Sequence, residues 1–156
     1  MQPTDLHGGL AFFFEQDHRD CDSRWADVEE LLDANDIELA QAAWQKYDSS
    51  MRRHIAMEEE VLFPAFDAKS GMAGSGPVAV MKMEHRQMEG LLEQISEAVK
   101  AGHAEDAMDL GDTLLMLIQQ HNVKEEGMLY PAAENLLAGD WDSLSKVLAE
   151  YEDYKG

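Results

Sequence analysis

Six residues whose types can do chemistry fall where helical spacing otherwise places apolar side chains: His18, His54, Glu58, His85, His121 and Glu125. His54 with Glu58, and His121 with Glu125, are four residues apart, so imidazole and carboxylate share one helix face about 6 Å apart along the axis. An unpaired carboxylate in an apolar core is very costly. Each glutamate must therefore be neutralised, paired or bound to a metal. No Lys or Arg lies on these stripes, so the facing imidazoles are the only side chains left to pair with. Plain His–Glu hydrogen bonding would satisfy the set. So would metal: imidazole plus carboxylate suits iron, with zinc and manganese as rivals. The imidazoles supply one nitrogen each, and two bridging carboxylates supply both oxygens, enough for two metals. An oxo or hydroxo bridge would add a fifth donor to each and leave a position open to O2, NO or peroxide. In one arrangement His18 and His54 serve one metal, His85 and His121 the other, with Glu58 and Glu125 bridging.

The elements that must position these residues follow from an internal repeat. An offset of 67 residues maps His18-Arg19 onto His85-Arg86, His54 onto His121 and Glu58-Glu59 onto Glu125-Glu126. The two strings read HIAMEEEVLFPA and HNVKEEGMLYPA, with Phe63 opposite Tyr130. Four of the six histidines pair under this one offset. Chain breakers at Ala34-Asn35-Asp36, KSGMAGSG (69–76), Ala101-Gly102-His103 and Ala138-Gly139-Asp140 divide the chain. The expected helices are 9–34, 36–67, 77–101, 104–138 and 141–153. Pro64 and Pro131 lie inside the second and fourth, where a kink or early end is expected.

Each long segment carries one apolar stripe at helical period. The first is Leu10, Phe14, His18, Cys21, Trp25, Val28 and Leu32; the third is Met81, His85, Met88, Leu92, Ile95 and Val99. The second runs Ala40, Trp44, Tyr47, Met51, His54, Glu58, Val61 and Ala65. The fourth runs Ala107, Leu110, Leu114, Ile118, His121, Glu125, Met128 and Ala132. Short connections make neighbours antiparallel. The fold class is all-α: an up-down-up-down four-helix bundle of two duplicated hairpins (about 9–67 and 77–138) with a short C-terminal fifth helix, in one domain.

The pattern His18, His54-x3-Glu58, His85, His121-x3-Glu125 resembles the hemerythrin-like family, also called the HHE cation-binding domain. The resemblance covers about residues 9–138. It implies a four-helix bundle with a non-heme di-iron centre, the six residues as ligands and Glu58 and Glu125 as bridges. Members of the family bind or sense O2 or NO, and some handle iron or detoxify reactive species. Oxygen-carrying hemerythrins have a further histidine on the third helix; one turn either side of His85 this chain has Met81 and Glu89.

Other residues receive lesser roles. Asp22 and Glu89 follow paired histidines by four and are candidates for a seventh ligand or for a hydrogen bond to an imidazole. Glu59 and Glu126 point about 100° away from the ligating glutamates and are expected at the surface. Cys21 is matched to Met88 and reads as an inert buried thiol. The chain has 12 Lys+Arg against 32 Asp+Glu, a formal charge of −20. That balance excludes nucleic acid and disfavours an anionic membrane. No apolar run reaches the roughly 18–20 residues of a membrane span. The start MQPTDLHGGLAFFFEQDH lacks the basic, apolar pattern of a signal peptide, and a single cysteine forms no internal disulfide. A cytoplasmic protein is expected. The leading function is O2 or NO binding for sensing or storage. The alternatives are a di-iron redox enzyme (peroxidase, NO-detoxifying reductase or oxidase), served by a redox partner protein, and iron storage or sensing.

Overall fold

The computed structural model describes residues 4–72 and 76–154. Among them there is no strand, and seven α-helices follow one another: α1 (Thr4–Asp33), α2 (Ile37–Met57), α3 (Phe63–Ser70), α4 (Pro77–Lys100), α5 (Ala104–Lys124), α6 (Tyr130–Leu136) and α7 (Trp141–Ala149). Within α1 the helix is broken at Gly9 (φ 79°, ψ −167°), so its bundle portion begins at Leu10. The N–H of Ala11, freed by that break, donates to Glu134 Oε1 of α6 at 3.1 Å. α1 packs along α2 and α4 along α5; contacts of α2 with α4 and of α1 with α5 join the two hairpins. The result is the expected bundle. α7 lies against α1, with Trp141 and Leu148 buried and Val147 exposed. It ends four residues short of the expected 153, in a run of turns.

The proline expectation takes a specific form. Neither helix ends before its proline; each widens into one π-helical turn, Glu58–Leu62 and Glu125–Leu129. Proline has no N–H to donate to the carbonyl four residues back, and its ring crowds that carbonyl. The residue before the proline donates one residue further back instead: Phe63 N–H to Glu58 O, and Tyr130 N–H to Glu125 O. α3 then runs on to Ser70, past the expected 67, until Gly71 (φ 74°) turns the chain.

The extra residue in each turn shifts the helical phase by one, and this corrects the stripes beyond the glutamates. Leu62, Phe63 and Phe66 are buried, while Ala65 is only half-buried. Leu129, Tyr130 and Ala133 are buried, while Met128 and Ala132, expected inside, are exposed. Upstream of the turns the stripes hold, with Leu110 half-buried.

Two apolar clusters fill the bundle. One holds Trp25, Trp44, Tyr47, Leu92, Ile95 and Leu114; the other holds Phe14, Phe63, Phe66, Met81, Leu129 and Tyr130. The His/Glu residues form a polar layer between them. The first cluster depends on one glycine: a Cβ on Gly111 would lie 2.3 and 2.4 Å from two ring carbons of Trp25. Gly111 is the repeat partner of Trp44, so the second hairpin leaves room where the first supplies an indole. Gly111→Ala gains about 1 kcal/mol of helix propensity. The buried indole cannot yield cheaply, and overpacking costs about 1–3 kcal/mol. The variant should be destabilised overall, which a lower urea midpoint would record; an unchanged or higher midpoint would show that Trp25 repacks freely.

Candidate metal centre

All six stripe residues converge. His18 comes from α1, His54 from α2, His85 from α4 and His121 from α5; Glu58 and Glu125 open the two π turns. All are buried, both glutamates completely. Their side chains make two groups whose donor atoms each lie within 4.8 Å of one another: His18, His54, Glu58 and Glu125, and Glu58, His85, His121 and Glu125. The glutamates are common to both. Glu58 turns Oε2 to His54 (3.3 Å) and Oε1 to His85 (3.0 Å). Glu125 turns Oε1 to His18 (3.0 Å) and Oε2 to His121 (3.0 Å).

In the second group the close approaches are not hydrogen bonds. Glu58 Oε1, Glu125 Oε2, His85 Nε2 and His121 Nε2 are all fully buried without a hydrogen-bond partner. Orphaned buried polar atoms are rare and costly. Four of them aimed at one point have the donor chemistry of a cation site, and the residues present fit a metal.

The outer nitrogens explain the aim of the inner ones. His18 Nδ1 donates to Glu126 Oε2 (2.7 Å), His54 Nδ1 to Asp17 Oδ2 (2.7 Å), His85 Nδ1 to Glu59 Oε2 (2.6 Å) and His121 Nδ1 to Glu84 Oε1 (2.8 Å). An ionised carboxylate only accepts, so the proton sits on Nδ1. In a neutral imidazole this leaves the Nε2 lone pair facing the centre, as a metal ligand requires. Three of the four outer carboxylates are themselves held by cations: Asp17 by Arg53 (3.1 Å), Glu59 by Arg86 (2.5 Å) and Glu84 by Lys124.

These four carboxylates correct the sequence expectations. Glu59 and Glu126 are half-buried against His85 and His18 rather than directed to solvent. A π turn has more residues per turn, so successive side chains diverge by less than in an α-helix. Asp22 is exposed and Glu89 pairs with Arg86; neither belongs to the donor groups. The repeat itself carried the missed signal, since the same offset pairs Asp17 with Glu84 and Glu59 with Glu126.

Without a cation, protons compensate the buried charge. Burial opposes the imidazolium at His54, yet the charge of Glu58 and the hydrogen bond to Asp17 hold its pKa well above 6.5. Burial likewise opposes His85, but Glu58 and Glu59 lift it to about 9. Burial pushes Glu58 upward, and the facing His54 and His85 outweigh it, leaving the carboxyl well below its ordinary value. Burial, with the nearby charges of Glu125 and Glu58, raises the Tyr130 phenol well above 10. Desolvation pushes the Cys21 thiol up to about 12, which keeps it inert.

On the face opposite the π turns, Met51, Met88, Ile118 and the four imidazoles line a cavity of about 10 Å³, with Cys21, Asp22 and Asn122 on its wall. That is the threshold for one water-sized molecule.

A four-helix bundle whose helices each bring histidine to two shared, buried carboxylates is a metal-binding bundle. The family model of the hemerythrin HHE cation-binding domain matches residues 10–133, and the chain belongs to that family. No curated protein and no solved structure matches it. Among the described residues no helix is long and apolar enough to cross a membrane.

Proposed function

We propose that the chain is a single-domain, non-heme di-iron protein that binds O2 or NO at an open coordination position, for sensing or storage. The observation that carries this reading is the pair of donor groups sharing Glu58 and Glu125, with unpartnered inner atoms in the second. His18 and His54 would hold one iron, His85 and His121 the other, and the two glutamates would bridge. Reduced iron supplies the electron-rich centre to which a diatomic ligand binds. The chain's own residues do the rest. The outer carboxylates fix each imidazole's tautomer and orientation. The two apolar clusters exclude bulk water from either side, and the small cavity admits only a small guest.

The test is an absorption spectrum of the iron-loaded, anaerobically reduced protein, followed through addition and removal of O2. A visible band that appears and then disappears supports reversible binding. Rapid irreversible oxidation, or steady turnover of peroxide or NO, would replace this reading with that of a redox enzyme.

The outer hydrogen bonds give a separate prediction. Glu126→Ala should weaken metal at the His18 position and Glu59→Ala at the His85 position, each by about 10–100-fold. Competition with a chelator of known affinity measures this. Wild-type affinity in both variants would mean that packing alone orients the imidazoles.

A further inference from the structure

The two halves of the centre differ in whether a hydroxyl reaches the donor atoms. Phe63 and Tyr130 are repeat partners, both directly after a π turn and both completely buried. Each lies beside the equivalent imidazole of the other hairpin: Phe63 stacks on His85 (centroids 5.8 Å, 13°), and Tyr130 lies by His18 (5.5 Å, 32°). The difference is the hydroxyl. Tyr130 Oη is 2.5 Å from Glu58 Oε2, 2.8 Å from Glu125 Oε1, 3.1 Å from His18 Nε2 and 3.4 Å from His54 Nε2. These are the inner atoms of the first donor group, and the hydroxyl sits among all of them. On the side of the second group the repeat partner Phe63 stacks on His85 and has no oxygen to offer.

Hydrogen bonding accounts for this position only with protons on the inner nitrogens. A phenol has one proton to give. Given to Glu58, it leaves the oxygen facing the acceptor Glu125 at 2.8 Å. Each imidazole gives its Nδ1 proton outward, so a proton at this point is a second one, on Nε2, as His54 carries in the metal-free protein. Metal needs those nitrogens bare, and electron-pair donors then outnumber protons at this point, the condition a cation resolves. Around the centre, and apart from the imidazoles, six carboxylates face three cationic side chains, Arg53, Arg86 and Lys124.

We propose that Tyr130 is itself a ligand of the metal at the His18/His54 position, and of that metal only. The inference rests on the di-iron reading above. The first position then has a phenolate in addition to two imidazoles and two carboxylate oxygens, whereas the second has no such donor. The open position, and with it the site of small-ligand binding, belongs to the His85/His121 metal. On binding, one oxygen–metal bond forms, the phenol proton passes to solvent, and no electron changes hands. A multivalent cation reverses the local charge balance that keeps the phenol protonated.

The test loads the full chain with ferric iron and compares wild type, Tyr130→Phe and Phe63→Tyr. Iron per chain is measured together with resonance Raman spectra excited in the visible band. Wild type should bind two irons and show phenolate ring modes from a phenolate-to-iron charge-transfer band. Tyr130→Phe should keep both irons and lose those modes; Phe63→Tyr should gain a second phenolate signal. A two-iron wild type without phenolate modes, or modes that survive in Tyr130→Phe, overturns the ligand role and leaves the di-iron reading standing. A wild type that takes up no iron overturns both. Should Tyr130→Phe not fold, the wild-type and Phe63→Tyr spectra still decide.

Discussion

Glu58→Ala and Glu125→Ala are each expected to empty both metal positions, whereas His18→Ala or His85→Ala weakens chiefly one. Glu58 gives one oxygen to each donor group, toward His54 at 3.3 Å and His85 at 3.0 Å, and Glu125 does the same toward His18 and His121 at 3.0 Å. Removing either carboxylate takes an anionic donor from both positions at once. Removing a histidine takes a neutral donor from one. The glutamate variants also break buried pairs with the imidazoles, a change that costs about 3–5 kcal/mol where the partner stays charged. His54 and His85 can shed the protons that Glu58 holds on them, so the metal-free Glu58→Ala protein should sit at or below that range and remain folded. Glu60→Ala is the control. Glu60 accepts a hydrogen bond from Tyr151 at the surface (2.6 Å) and should keep full metal content. Metal per chain by elemental analysis, with helicity checked by circular dichroism, reads the outcome. A folded Glu58→Ala protein that keeps one full equivalent would show that the carboxylate serves a single metal.

Much of this arrangement is legible in the sequence alone, for identifiable reasons. Upstream of each glutamate the helices are regular, so a period of 3.6 places Phe14, His18, Cys21 and Trp25, and likewise His85, Met88 and Leu92, on their buried faces. The duplication made the set of six stand out because histidine is scarce in the chain. What escaped the periodicity lies at and after the prolines. A fixed helical step carried through Pro64 and Pro131 assigns Met128 and Ala132 to the core, and the π turns move the phase to Leu129 and Ala133. The same turns bring Glu59 and Glu126 in beside the imidazoles, although their place next to the glutamates reads as an outer face. Asp17 and Glu84 directly precede the histidines of α1 and α4, yet each serves the neighbouring helix of its hairpin, His54 and His121. Only the packed hairpin shows that pairing. Phe63 and Tyr130 look equivalent as aromatic repeat partners. Their difference acquires meaning only once the hydroxyl is found among four donor atoms.

Loading the metal should raise the melting temperature, and the increment should grow with pH. Metal present at about a thousand times its dissociation constant stabilises a folded site by about 4 kcal/mol. For a domain of this size that is about 8–16 °C. The pH dependence follows from the protons that metal must displace. In the metal-free protein, His54 and His85 are raised above their ordinary 6.5, His85 to about 9. Their contribution is fully present below about pH 6.5 and is lost as pH rises through the folded values, about 9 for His85. Asp17, Glu59 and Glu84 are lowered by their imidazole and cationic partners against the opposing effect of burial. Their contribution is present above about pH 4 and is lost as pH falls through the depressed values. The metal-free protein is therefore at its most stable between these limits, where the histidines still hold their protons. Metal needs those same nitrogens bare. Raising the pH from about 6 to about 9 removes the competing protons while the metal-free form loses its imidazolium–carboxylate pairs. Both changes widen the gap between the two forms. Paired thermal melts of metal-loaded and chelator-treated protein across that range test the prediction. Coincident melting temperatures would place the metal away from the buried layer, and an increment independent of pH would show that the imidazoles give up no proton when it binds.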